Sequence, residues 1–157
     1  MVAPDIPTSP KRVGGWLMFF CVGLAILGPL FVLGQMFVTW GQAQPAFDQF
    51  QNIRIAVMWE NIGSVALLIY GFIAGCMIWG GHPGGREIAK KYLLIRLFGF
   101  VGIEFIAIMI MGDMPSQLVA RVLGATVGAV FREIIYFLIW WFYFKKSKRV
   151  RNTYGVN

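Results

Sequence analysis

The sequence predicts an all-α integral membrane protein, a bundle of four spanning helices with both termini on the cytoplasmic side. Three observations predict it. Apolar residues make up 58% of the 157-residue chain and charged residues only 13%, against about 45–50% and about 25% in soluble domains. Four charge-poor stretches each approach the ~20 residues that a bilayer-crossing helix needs. Lysine and arginine, 14 against 7 aspartate and glutamate, collect in alternate connections instead of along one exposed face.

No charged residue occurs from Val13 to Phe47, and Trp16–Trp40 alone would span about 37 Å as a helix rising about 1.5 Å per residue. Lys11 and Arg12 before this run, and the small residues of Ala43 to Ala46 after it, resemble a signal peptide. A signal core is only about 7–15 residues long, so the run is read as the first membrane helix. Pro29 should kink it, because proline lacks a backbone donor and its ring clashes with the preceding turn. Residues 56–79, 92–111 and 119–144 supply the other three spans. Residues 41–55, 80–91 and 112–118, rich in glycine, proline and polar side chains, connect them. The chain thus divides into an N-tail (1–12), a four-helix domain (13–144) and a basic C-tail (145–157), without internal repeats.

Phe47, Phe50 and Ile53 recur at helical spacing, which suits either a short helix lying on the membrane surface or a plain loop. The segment His82 to Gly85 reads as a turn leading into a basic amphipathic extension, Arg86–Tyr92, of the third span.

Orientation follows from the retention of positive loops in the cytoplasm. Lys11 and Arg12, then Arg86, Lys90 and Lys91, then Lys145, Lys146, Lys148, Arg149 and Arg151 fall on one side, and only Arg54 and Arg121 on the other. Aromatic belts agree: Trp16, Trp79, Tyr92, Trp140, Trp141 and Tyr143 fall at the inner boundary, Trp40 and Trp59 at the outer one.

Ionisable residues at membrane depth are the candidates for chemistry, since a charge at a helix centre costs from about 2.5 kcal/mol upwards. Glu104 lies mid-way along the third span, Arg132 and Glu133 mid-way along the fourth, and Glu60 a turn inside the second. Gly124, Gly128 and Arg132 repeat every four residues, a face on which glycines admit a neighbouring helix. That places Arg132 toward the bundle and predicts an ion pair with Glu104, leaving Glu133, about 100° round, for another groove or a partner protein. The alternatives for the pair are an internal staple fixing helix register and a proton, ion or substrate pathway. Glu60, Ser64, Leu67, Gly71 and Gly75 form one stripe on the second span, which suits helix packing or such a pathway.

Counting removes several chemistries. His82 is the one histidine, so a bis-histidine haem site, a histidine-rich metal site and a Ser-His-Asp triad are unavailable within one chain. Cys21 and Cys76 sit in apolar runs and form no CxxC motif. No phosphate-binding glycine pattern occurs. No catalytic residue, metal or cofactor is expected, and the protein is not expected to be an enzyme. The tail Lys145, Lys146, Lys148, Arg149 and Arg151 suits topology and anionic lipid head groups, each cation contributing about 1 kcal/mol near the surface. It abuts the membrane and argues against nucleic acid.

Two terminal segments carry a family resemblance. Val13-Gly14-Gly15-Trp16-Leu17 with Gly23-Leu24 and Pro29-Leu30, and Arg132, Ile139-Trp140, Tyr143-Phe144, Ser147, Arg149-Val150 and Thr153-Tyr154, resemble both ends of a family of uncharacterised bacterial four-helix inner-membrane proteins. The resemblance implies four helices, a bacterial inner membrane and an arginine in the last helix, and no reaction, substrate or cofactor. The expected function is an accessory or scaffold subunit of a membrane complex, partnered by the bilayer and by other subunits or its own copies. The alternative is a small ion- or proton-coupled transporter or channel using Glu60 or Glu104.

Overall fold

The computed structural model describes residues 14–112 and 115–154. The N-tail, with Lys11, Arg12 and Val13, lies outside the described residues. Four long helices follow one another: α1 (Trp16–Phe47), α2 (Gln51–Trp79), α3 (Gly85–Ile110) and α4 (Ser116–Lys146), each apolar and long enough to cross a membrane. A short helix, α5 (Lys148–Tyr154), follows after Ser147. No strand occurs among the described residues.

The helices overrun the spans expected from hydropathy, because polar residues beyond the apolar stretch keep helical geometry where they pack. α1 continues through Pro45 to Phe47, and α2 begins at Gln51, so Phe47, Phe50 and Ile53 form neither a surface helix nor a long loop. They gather with Ala56, Val57, Ala107 and Met111 into an apolar cluster. Pro29 produces no sharp break. Residues Gly23–Leu27, just ahead of it, are π-helical, a widened turn that accommodates a residue unable to donate its backbone bond. The α2–α3 connection is a tight turn as expected. Gly81 adopts φ +71°, a conformation costly for residues with a Cβ, and the Gly84 N–H donates to His82 Nδ1 at 3.1 Å.

Apolar burial is split between two separate clusters. One holds Leu17, Phe20, Ile78, Tyr92, Leu93, Trp140, Phe144, Val150 and Tyr154; the other is the cluster around Ile53 and Met111. Phe20 anchors the first, with ring centroids 4.6 Å from Trp140 and 5.0 Å from Phe144. Tyr92 and Trp140, expected at the membrane boundary, are buried here instead (2% and 7% exposed). α3 starts at Gly85, so Arg86–Tyr92 is helical, as expected of an extension of the third span; the Tyr92 ring turns into the bundle and Trp140 faces the Phe20 ring. Trp16, Trp79, Trp40 and Trp59 remain on the outside.

α5 is docked against the same end. Its Tyr154 hydroxyl donates to the Ile78 carbonyl at 2.9 Å, and burial pushes this phenol's pKa up. Arg86 Nε donates to the Phe144 carbonyl at 3.1 Å. Lys145, Lys146, Lys148, Arg149 and Arg151 stay exposed beside it. The start of α1, the α2–α3 turn and the end of α4 therefore meet at one end of the bundle.

Phe20→Ala should lower stability by about 3–5 kcal/mol by opening a void in this cluster. Phe31→Ala, at a side chain 60% exposed, should change it by about 0.5 kcal/mol or less. Equilibrium unfolding of the purified protein in mixed detergent micelles measures both.

Candidate intramembrane site

Between the two apolar clusters the one fully buried side chain from the middle of α4 is Glu133, at 8% exposure. A buried carboxylate in an apolar bundle requires a partner, and α3 provides it. Arg96 Nε donates to Glu133 Oε2 at 2.8 Å and Nη2 to Oε1 at 2.8 Å, the two-pronged geometry that suits a guanidinium and a carboxylate. The third nitrogen donates to the Tyr92 hydroxyl at 3.0 Å, and the guanidinium carbon lies 4.7 Å from the centre of the Tyr136 ring. Gly71 on α2 lets this assembly close up: a Cβ there would meet Tyr92 Cε2 at 3.0 Å. Gly75 likewise lets α1 approach, with Leu24 Cβ 2.9 Å from the position of an added Cβ.

The expected Glu104–Arg132 pair does not form. Glu104 Oε2 instead accepts from the Thr126 hydroxyl at 2.9 Å. Helix register is the cause. Arg96 meets Glu133, and eight residues further along α3 Glu104 meets a residue seven earlier in antiparallel α4. Arg132 is then six residues from the position facing Glu104, about 9 Å at ~1.5 Å per residue. Gly124 and Gly128 also depart from expectation. Nothing lies within 4 Å of a Cβ placed on either, and both are exposed, because α4 turns Thr126, Ala129 and Glu133 inward and these two glycines outward.

A cavity of about 390 Å³ lies above the Arg96–Glu133 pair. α1 lines it with Gln35, Met36 and Thr39, α2 with Glu60, Asn61 and Ser64, α3 with Arg96 and Glu104, and α4 with Ala129, Arg132 and Glu133. A second cavity, about 640 Å³, shares Gln35, Thr39, Glu60, Glu104 and Ala129, and runs on past Gln42 and Thr126 toward the cluster around Met111. The structure thus brings Glu60, Ser64, Glu104 and Arg132 to one polar space, though not into one ion pair. Arg132 lines it and is exposed overall, with Glu133 withdrawn into the pair with Arg96. No group of three potential metal ligands occurs among the described residues.

Sequence reasoning overlooked Arg96, Tyr92 and the polar face of α1. The signals were present. Arg96 and Tyr92 are one turn apart, and Gln35, Thr39 and Gln42 fall at i, i+4 and i+7, a polar stripe on an otherwise apolar span.

The fold and this cavity define a multispanning membrane protein with a polar interior. Over residues 10–155 the sequence matches the family DUF2569, described as a protein of unknown function, and the chain belongs to that family. Neither the curated proteins nor the solved structures contain a match.

Arg96→Gln or Glu133→Gln alone should destabilise by about 2 kcal/mol. That is less than the ~3–5 kcal/mol for breaking a wholly buried pair, because the Arg96 side chain is 33% accessible. Arg96→Met with Glu133→Leu should recover most of that loss. Arg132→Gln should leave stability within about 0.5 kcal/mol. Unfolding curves of the four variants test the assignment.

Proposed function

We propose that this protein is a non-enzymatic, ion- or proton-coupled carrier for a small solute, embedded in the bacterial inner membrane with both termini cytoplasmic. The observation that carries the reading is the polar cavity at membrane depth that holds Glu60, Glu104 and Arg132 in addition to the satisfied Arg96–Glu133 pair. A structural staple accounts for Arg96 and Glu133. It does not account for three further ionisable groups within the spans, where a charge costs about 2.5 kcal/mol or more at the bilayer centre and less toward its edge. Such groups on the interior of a bundle bind ions, protons or charged solutes.

The aromatic cluster around Phe20 and the Arg96–Glu133 pair separate these two cavities from the lysine-rich end, which the excess of positive charge assigns to the cytoplasm; a further groove of about 620 Å³, lined by Phe19, Phe31, Arg96, Tyr136 and Trp140, lies beside that cluster. The cavities run toward the opposite end, so this conformation corresponds to an outward-facing or occluded state of a carrier. In vesicles loaded with a pH-sensitive dye, a panel of inorganic cations, amines, carboxylates and amino acids should include at least one that evokes a pH change. Glu60→Gln and Glu104→Gln should each reduce that response by at least about tenfold. No response to any solute on the panel would contradict the carrier reading.

A second reading, an accessory subunit of a membrane complex, is favoured by a separate feature. α4 is the least apolar of the four spans and the least buried, and Gly124 and Gly128 stand open on its outer face, where a partner helix could approach closely. Native mass spectrometry of gently solubilised membranes tests it: a stoichiometric companion protein supports the subunit reading, and free monomer or homodimer alone contradicts it.

A further inference from the structure

Resting on the carrier reading, we infer that the cavity binds a small zwitterion, an ammonium and a carboxylate on one apolar body, together with one proton. The inference starts from the charges facing the cavity. α2 contributes Glu60, α3 contributes Glu104, Arg96 and the Tyr92 phenol, α4 contributes Arg132 and Glu133, and α1 contributes neutral Gln35 and Thr39. Arg96 and Glu133 neutralise each other through two hydrogen bonds. Glu104 accepts one hydrogen bond from Thr126. Two carboxylates and one guanidinium are left for a ligand.

A simple cation would balance the net charge but leave the Arg132 guanidinium, which bonds to neither carboxylate in this structure, without an acceptor. A simple anion would satisfy Arg132 and add to the repulsion between Glu60 and Glu104. A zwitterion serves both sets: its carboxylate meets the Arg132 guanidinium in the geometry that favours two parallel hydrogen bonds, and its ammonium meets the carboxylates. A zwitterion adds no net charge, so the site retains one uncompensated negative charge, costly to occlude within the bilayer. A proton taken from solution onto the Glu60 and Glu104 set removes it. Charge balance therefore ties one proton to each zwitterion.

Size and polarity agree. About 390 Å³ holds roughly a dozen waters at ~30 Å³ each, enough for a solute of about ten heavy atoms with a few waters retained. Val32, Leu67, Phe100 and Ile103 provide apolar wall beside the charged groups, which suits an aliphatic or aromatic body rather than a sugar.

The test is isothermal titration of the full chain in lipid nanodiscs with three matched sets. These are glycine with methylamine and acetate, leucine with isopentylamine and 4-methylpentanoate, and phenylalanine with phenethylamine and 3-phenylpropionate. In at least one set the amino acid should bind about tenfold or more tighter than either single-charge analogue. In weakly buffered solution about one proton should be taken up per amino acid bound. Arg132→Gln, a variant that breaks no ion pair in this structure, should bring the amino acid down to the affinity of its amine. Amines binding as tightly as amino acids, a preference that survives Arg132→Gln, or binding without proton uptake would each overturn the inference while leaving a cation carrier standing. Silence of the whole vesicle panel described above would remove the carrier reading itself.

Discussion

A guanidinium and a carboxylate joined across two antiparallel helices govern the arrangement of everything else in this bundle. Neither Arg96 nor Glu133 could sit at membrane depth alone, and their two short hydrogen bonds hold α3 and α4 in one register. A slip of a single residue would rotate Glu133 about 100° around its helix and break both bonds. That register in turn sets Thr126 opposite Glu104 and leaves Arg132 lining the cavity with no acidic side chain bonded to it among the described residues. The same assembly donates a hydrogen bond to the Tyr92 hydroxyl and lies over the Tyr136 ring, so it joins the polar interior to the aromatic cluster at the end of the bundle.

The division of the apolar core follows from this arrangement. Helices that cross a membrane gain nothing from removing apolar side chains from lipid and associate through close packing and polar contacts. Apolar clustering in this chain is confined to the two ends, where Gly75 admits α1 and where Phe47, Phe50 and Ile53 fold over the far end. The middle is held by polar contacts and encloses space. A bundle packed uniformly with leucine and phenylalanine would have no such interior.

Much of this architecture is legible in the sequence. Charge-poor runs mark four helices because their lengths match a bilayer, and the His82 to Gly85 turn announces itself through glycine and proline. Gly71 and Gly75 are legible as packing positions because they lie on one stripe of the second span. What the sequence conceals is azimuth and register. The every-fourth-residue pattern of Gly124, Gly128 and Arg132 does not say which way that face points; the contact of Glu133 with Arg96 turns the two glycines outward, while the long Arg132 side chain still reaches the cavity. Arg96 was passed over because it lies near the basic end of α3, where an arginine ordinarily reaches out to head groups. Helix ends are concealed for a related reason: hydropathy reports where apolar residues stop, and α1 and α2 continue beyond that point by packing against neighbours.

The central claim is that a water-accessible polar cavity lies at mid-membrane and is sealed toward the lysine-rich end. Cysteine accessibility tests it most directly, with single cysteines introduced after Cys21 and Cys76 are replaced by alanine. Ser64→Cys and Ala129→Cys line the cavity, and Ala89→Cys sits in the sealed aromatic cluster. The account predicts that a membrane-impermeant methanethiosulfonate modifies the first two in intact vesicles and spares the third. Ser64→Cys and Ala129→Cys as unreactive as Ala89→Cys would contradict it.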